Sequence, residues 1–188
     1  KLRRVSIYAS AFNLHDKSKD ELVLLKEKGL TLIYYGIESG SFEVLKRIQK
    51  PISSSKMCEG LNKAYDAGMK TSVTVILGVA GKKYSKLHIE ETANILNQIK
   101  VTYLSTLQLM LEPHTKEKFI NNFDGEFELL SVREMLEEQK YFLELLNPIN
   151  RVIFRSNHAS NSLALAGTLP KDRDRLIDEL TYVIDNYL

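Results

Sequence analysis

The stretches KEKGLTLIYYG, residues 26–36, and YDAGMKTSVTVILG, residues 65–78, follow one pattern. In each, a helix-like segment ends at a glycine, a near-continuous apolar run follows, and a second glycine closes it. Such runs, when they are separated by helices, are typical of parallel strands that are buried on both faces. The pattern predicts an α/β protein in which helices cover a mostly parallel sheet.

The same rhythm extends along most of the chain. β-branched and aromatic residues predict five strands, over residues 4–9, 31–37, 70–77, 101–111 and 151–154. Capping boxes at 18–21 and 131–134 predict two helices, which end at Gly29 and at about residue 146. Further helices are predicted over 41–67, with a break at Lys50-Pro51, over 87–99 and over 172–187. A loop is predicted from His114 through Gly125. Five parallel strands could form an open doubly wound sheet or part of a barrel, and a complete eightfold barrel is excluded because it takes at least ~200 residues.

Composition excludes several classes of protein. Of the 188 residues, 44% are hydrophobic and 27% are charged, which is typical of a globular domain. The formal charge of +2 gives no field that would indicate a nucleic acid partner. No apolar run reaches the ~20 residues that span a bilayer, so no membrane association is expected. A single cysteine, Cys58, cannot form an internal disulfide, and we predict a cytoplasmic protein.

A carboxylate, Glu38, follows the second predicted strand. Side chains alternate along a strand, so Leu32, Tyr34, Gly36 and Glu38 share one face. Ligands of α/β proteins bind near the carboxyl ends of strands, and we therefore expect Glu38 to point inward, with empty room at Gly36. The next strand repeats this picture, with Gly78 expected to open toward the same cavity.

A simpler interpretation of these residues stays open. The glycines could serve turn geometry alone, and Ser39 or Ser41 could cap the following helix. Glu38 would then be a solvated carboxylate near the positive end of a helix.

Three segments carry a resemblance to a known family. GIESGSFEVLKRIQK (36–50), TSVTVILGVAGK (71–82) and LQLMLEPHT (107–115) resemble the second half of a radical S-adenosylmethionine (radical SAM) enzyme core. FRSNHASNSLALAGTLPKD (154–172) is similar to the close of a bacterial iron–sulfur oxidoreductase subgroup. The resemblance implies a partial TIM-type barrel of six strands, of which residues 1–115 supply strands three to six. Residues 116–188 would be a mostly helical extension packed on the same domain.

The resemblance also implies residue roles. Glu38 would bind the ribose hydroxyls of S-adenosylmethionine or a nearby polar group of this cofactor, with Ser39 as a further contact. Lys50 would bind the methionyl carboxylate. Thr74 would lie near the ribose. The segments that would pack on adenine contain Ile76, Gly78 and Leu111. These residue types suit the chemistry, because a carboxylate accepts two hydroxyl hydrogens and an ammonium group binds a carboxylate.

The CxxxCxxC motif that would hold a 4Fe-4S cluster is absent. One thiol cannot replace three ligands, so this chain is not expected to bind the cluster, and Cys58 is interpreted as a small buried apolar residue. We expect the chain to be a fragment that is inactive alone, and a degenerate relative without the chemistry is the alternative. The resemblance implies that the full-length enzyme uses a cluster to cleave S-adenosylmethionine and release a 5′-deoxyadenosyl radical, which takes hydrogen from an unknown substrate. An unpaired first strand would favour self-association.

The histidines and the tail motif leave alternatives open. Asn157, His158 and Asn161 are candidate substrate contacts, although loop capping explains them equally well. His15, His114 and His158 all follow predicted strands, which keeps a His-ligated metal hydrolase as a rival hypothesis. A non-catalytic docking module is a third. His88, within a predicted helix, is expected to face solvent.

Overall fold

The computed structural model describes residues 4–188, which form a six-stranded sheet in the order β1-β2-β3-β4-β5-β6. Strands β1 to β5 are parallel, and β6 runs antiparallel to β5. The strands are β1 Val5–Tyr8, β2 Leu30–Glu38, β3 Lys70–Leu77, β4 Tyr103–Gln108, β5 Val152–Ser156 and β6 Leu165–Leu169. The helices are α1 Ala11–Asp16, α2 Lys19–Glu27, α3 Phe42–Arg47, α4 Ser54–Asp66, α5 Gly81–Leu96, α6 Pro113–Asn121, α7 Val132–Leu145 and α8 Arg173–Tyr187.

Local sequence signals account for several element boundaries. The predicted capping box before α2 is confirmed: Ser18 Oγ accepts the Glu21 N–H at 3.1 Å, and the Glu21 carboxylate accepts the Ser18 N–H at 2.7 Å. The box at Ser131 before α7 forms in the same way. Helix α4 ends as predicted near Gly68, whose φ of 77° is a left-handed conformation that glycine adopts without strain.

Several elements differ from the prediction, among them helix α1, Ala11–Asp16, which was not predicted. The loop predicted after His114 is wrong, because α6 begins at Pro113, where a fixed φ and a missing N–H suit the first turn of a helix. Helix α5 begins at Gly81, six residues before its predicted start. Strand β6 was not predicted, since LAGTL contains little β-branched character and becomes a strand through its pairing with β5.

The two faces of the sheet have different environments. On the helix-covered face the side chains of β2 and β3 are buried: Ile33, Tyr35, Ile37, Val73, Val75 and Leu77. On the other face most side chains are only half-buried and many are polar, including Tyr34, Ser72, Thr74, Tyr103 and Ser105. A sheet that is covered on one side and open on the other, in a barrel-like fold, leaves a lumen for ligands.

Strand β1 is the edge of the sheet. All four of its residues are exposed, and Val5 and Ile7 retain 42% and 51% of their accessible surface. Within the described part of the chain β1 pairs only with β2, so its outer backbone groups face away from the sheet. Over the same residues, every helix is too short or too polar to cross a bilayer.

Candidate functional site

Glu38 leaves β2 in an unusual conformation. The β2–β3 register shifts between Gly36 and Glu38, and Glu38 has a φ of 59°, a left-handed value that costs a residue with a side chain ~1–3 kcal/mol. The carboxylate folds back over Gly36, and its Oε1 occupies the place where a Cβ on residue 36 would stand. The predicted room at Gly36 is therefore present, and Glu38 fills it from the inner face.

A helix terminus places Lys50 beside this carboxylate. Gln49 takes a φ of 61° after α3, and the Lys50 N–H donates to the Leu45 carbonyl at 2.8 Å, which completes a Schellman motif. The Lys50 ammonium then lies 2.6 Å from Glu38 Oε1. The Lys50 side chain is 58% exposed and that of Glu38 is 12% exposed. Two residues predicted to bind the cofactor are thus brought together, as an ion pair.

Ser39 does not line either of the cavities described below, in contrast to the expected cofactor contact. It is fully buried, and its Oγ lies 2.7 Å from Nδ1 of His88 on α5. The prediction that His88 faces solvent is wrong, because its side chain is fully buried. Burial lowers the pKa of His88 to about 4. The neutral ring therefore serves as a buried support for the turn.

Packing against α5 explains why the turn Glu38–Ser41 (ESGS) has glycine at position 40. A Cβ at this position would lie 2.5 Å from the backbone of Glu91 and Thr92, so only glycine allows the turn to pack directly on α5. The Gly40 N–H also donates to Thr92 Oγ1 at 2.7 Å. Sequence reasoning missed His88 and Thr92. Their spacing of four residues, which puts two polar groups on one turn of a helix, is the signal that could have indicated them.

Two cavities adjoin at Tyr8 and Tyr34, whose rings stack with centroids 5.1 Å apart. The first, the rim cavity, has a volume of about 520 Å³ and contains Glu38 and Lys50; it is lined by residues 8–12, 34–38, 45 and 49–52. The second, the lumen cavity, has a volume of about 540 Å³ and lies on the inner face of the sheet; it is lined by residues 4, 8, 32, 34, 72, 74, 103, 105–107, 155, 157 and 158.

Strand register arranges a polar row across the lumen. Gly36 pairs with Thr74, Thr74 with Ser105, and Ser105 with Arg155. Because the Glu38 carboxylate lies over Gly36, the row presents a carboxylate, two hydroxyls and a guanidinium group in turn. Thr74 thus lies in the polar lumen position predicted for it, beside Glu38 and on the cavity surface.

Of the residues predicted to contact adenine, Ile76 lies within β3, whereas Gly78 and Leu111 lie beyond the ends of their strands. Ile76 packs with Val79 and neighbouring apolar side chains. Gly78 has a φ of 74°, and a Cβ there would meet the Met135 side chain of α7, so the expectation that it opens toward the cavity is wrong. Leu111 is half-buried in the connection between β4 and α6.

Only two of the three candidate substrate contacts line a cavity. Asn157 and His158 line the lumen cavity. Asn161 does not line it, because its amide joins β4 to β5: Oδ1 accepts the Gln108 N–H at 2.9 Å, and Nδ2 donates to the Thr106 carbonyl at 2.8 Å and to Ser156 Oγ at 2.7 Å. These bonds use the amide fully, so Asn161 is a structural residue rather than a free contact.

A metal site does not form from the predicted histidines. His15 lies on α1 with its Nδ1 3.7 Å from Glu59, His114 is exposed on α6, and His158 lies at the lumen. Over residues 4–188, no three His, Cys, Asp or Glu side chains converge as metal ligands. The rival hydrolase hypothesis therefore lacks a ligand set there. Cys58 is half-buried against the core and burial raises its thiol pKa, so this chain does not fit a 4Fe-4S cluster.

Comparisons with known proteins show what the chain is similar to. The curated heme chaperone HemW of Bacillus subtilis (strain 168) is 23% identical over 112 residues, which cover 59% of this chain and 29% of HemW. The solved structure of the archaeal Methanocaldococcus infernus Elp3 with an N-terminal deletion (1–46) superimposes with a TM-score of 0.67 at 15% identity, over 97% of this chain and 41% of that chain. Coproporphyrinogen III oxidase (HemN) from Escherichia coli, titled a radical SAM enzyme, gives a TM-score of 0.56 at 19% identity, over 75% of this chain and 32% of that chain.

The chain thus spans less than half the length of each of these three proteins, and the two solved structures show that it shares their fold. A family model for the radical SAM superfamily matches residues 1–96, slightly more than half of the 188 residues. Strands β1 to β3 and the turn Glu38–Ser41 lie within that match, and the chain belongs to the radical SAM superfamily.

Proposed function

We propose that this chain forms the S-adenosylmethionine-holding part of a radical SAM iron–sulfur oxidoreductase of the cytoplasm. The observation that carries the proposal is the Glu38 carboxylate, which is held over Gly36 on the inner face by a strained backbone and a buried turn. Strain that is retained at one residue and supported by its surroundings is typical of a functional site. Family membership adds the expectation of this cofactor and of a cluster.

The chemistry of the rim suits that ligand. Glu38 can accept two vicinal hydroxyl hydrogens through its two oxygens, and Thr74 adds a hydroxyl one strand away. Lys50 has three donors and uses one on Glu38, so a ligand carboxylate can take another. S-Adenosylmethionine bound there would supply the radical that takes hydrogen from a substrate, while these residues hold its sugar and amino acid ends in place.

The chain has no means of holding the cluster. It contains one cysteine, and three thiolates are needed. The whole enzyme therefore requires ligands that this chain does not supply, and the chain alone should not cleave S-adenosylmethionine.

The experiment measures binding of S-adenosylhomocysteine, a stable analogue, to this chain by calorimetry. Glu38→Gln should weaken binding about tenfold, because a neutral amide replaces charge-assisted hydrogen bonds to the hydroxyls. Glu27→Gln is the matched control: Glu27 is exposed at the end of α2 and lines neither cavity. Equal affinities for the wild type and Glu38→Gln would rule the proposal out.

The exposed edge at β1 supports a second part of the proposal, namely self-association of the isolated chain. An edge strand with apolar side chains is a template for pairing with another strand. Light scattering should show an apparent mass that rises with concentration, and Ile7→Lys, which adds a charge to the edge, should keep the chain monomeric. A concentration-independent monomer would contradict this part only.

A further inference from the structure

The lumen cavity has an arginine that the proposed function does not use. Arg155 lines the cavity on the β5 side and Arg4 lines it on the β1 side, and the lining within residues 4–188 contains no aspartate or glutamate. The only carboxylate on the polar row is Glu38, at the opposite end from Arg155. Three strand-to-strand steps separate Gly36 from Arg155, which is about 14 Å along a sheet.

Arg155 is placed to bind an anion. Its guanidinium carbon lies 5.9 Å from the Tyr103 ring centroid, so the group is steadied by the ring while its donors stay available. Among the described residues it has no carboxylate within ion-pair distance, in contrast to Arg47 and Arg175, each of which is paired. Arg155 is exposed on the cavity wall, and an arginine that keeps its fork of donors free in such a place is suited to a carboxylate or phosphate group.

The floor beside Arg155 is suited to a flat group. Register pairs Tyr34 with Ser72 and Ser72 with Tyr103, so a small residue stands between two aromatic ones. Tyr34 and Tyr103 are then about 10 Å apart, and the small Ser72 leaves a slot between them. Tyr8 extends the aromatic wall by stacking on Tyr34. Aromatic walls bind planar unsaturated rings in preference to flexible chains.

We propose that the lumen cavity binds a planar, unsaturated small molecule that carries a carboxylate or phosphate group. The anionic group binds Arg155 and the planar part enters the slot over Ser72. The inference rests on the proposed function, since it takes the lumen as the substrate side of a site whose cofactor end is Glu38. It adds the substrate's chemical class and assigns Arg155, Tyr103 and Ser72 to its recognition.

The test uses this chain and three probes that share one ring system: 1-naphthoate, 1-naphthyl phosphate and 1-naphthylmethylamine. Binding is followed by saturation-transfer NMR and calorimetry, with and without S-adenosylhomocysteine. One or both anions should bind and the amine should not, and a preference between the anions distinguishes a carboxylate substrate from a phosphate one. Arg155→Gln should weaken anion binding about tenfold, the effect of losing one charge-assisted contact.

Two further variants keep the test decisive. Arg151→Gln removes the same charge from an exposed site just before β5 that does not line the cavity, and it should leave binding unchanged. Ser72→Leu fills the slot while Arg155 remains, and it should abolish binding of the anionic probes. Circular dichroism confirms that each variant is folded.

Three results would overturn the inference: equal anion affinity in Arg155→Gln and wild type, equal binding of the amine, or displacement of the anion by S-adenosylhomocysteine. None of these touches the Glu38 proposal, whose measure is S-adenosylhomocysteine binding itself. Conversely, loss of the Glu38 effect with intact anion binding would remove the cofactor assignment and leave the anion site.

Discussion

The carboxyl ends of β2 and β3 each combine a glycine with a carboxylate, but the two carboxylates come from opposite sides of the sheet. At β2 the chain supplies its own, since Glu38 folds back over Gly36 on the inner face. At β3 the carboxylate arrives from the helix layer: Glu138 of α7 accepts the Gly78 N–H at 2.5 Å and the Ser85 hydroxyl at 2.8 Å. A glycine after a strand therefore does not reveal which face its partner occupies.

The electrostatics of the two ends also differ. Glu38 has a cation beside it, Lys50, and lies on a cavity. Glu138 is 5% exposed, and within the described residues no cation lies within ion-pair distance of it. Burial raises the pKa of Glu138 to about 7, and its hydrogen bonds to Ser85 and Gly78 oppose the shift only in part. Glu138 also borders a cavity, on the helix side, but both of its oxygens accept hydrogen bonds from the fold, whereas Glu38 is paired with an exposed lysine side chain.

The largest expected effect is on stability at the β3 end. Glu138→Ala should lower the free energy of unfolding by about 3 kcal/mol, because it removes two buried hydrogen bonds and leaves the Gly78 N–H without a partner. Glu38→Ala, at a position on a cavity, should cost less than about 1 kcal/mol. Urea titrations of both variants measure the difference. Equal losses would remove the distinction between the two ends.

The next effect is on the pH dependence of stability. The folded-state pKa of Glu138 is raised from 4.5 to about 7, so the folded state holds a proton that the unfolded state releases, and stability falls as the pH rises from about 4.5 to 7. His88 acts oppositely: its pKa is lowered from 6.5 to about 4, so stability is full above 6.5 and is lost as the pH falls toward 4. In the wild type the two slopes largely offset one another.

Replacing either group should therefore reveal the pH dependence of stability that the other group causes. Glu138→Gln should leave stability rising by on the order of 2 kcal/mol between pH 4 and 6.5, and His88→Leu should leave it falling between pH 4.5 and 7. Thermal unfolding at a series of pH values checks both slopes. A Glu138→Gln variant with the wild-type profile would show that Glu138 is not the buried acid.

The comparison also shows what sequence could and could not predict. Periodicity and caps gave β3 its bounds and placed the break near Lys50-Pro51, because these signals are local. Strand alternation put Glu38 on the inner face, although the chain reaches that face through a bulge and a left-handed residue rather than by simple alternation.

Long-range contacts account for what was missed. Ser39 is bound by His88, 49 residues away, and Gly78 is bound by Glu138, 60 residues away. No local pattern marks such partners, so a buried serine and a buried glycine were both assigned to the cavity. Arg155 was overlooked for a related reason, since its place on the polar row depends on a strand pairing that sequence alone does not fix.

The smallest expected change in stability separates the two glycines. Gly78→Ala should lower the free energy of unfolding by about 1–2 kcal/mol, because residue 78 has a φ of 74° and a Cβ would press on Met135. It should leave S-adenosylhomocysteine binding nearly unchanged. Gly36→Ala should change stability by less than about 1 kcal/mol, because the displaced atoms are the end of a flexible side chain. It should instead weaken S-adenosylhomocysteine binding about tenfold, since the methyl group takes the place of the Glu38 carboxylate. Urea titration and calorimetry measure both variants. If the two carboxylates have different roles, Gly78→Ala loses mainly stability and Gly36→Ala loses mainly binding. If both variants lost stability and retained binding, the carboxylate over Gly36 would be a structural group like Glu138.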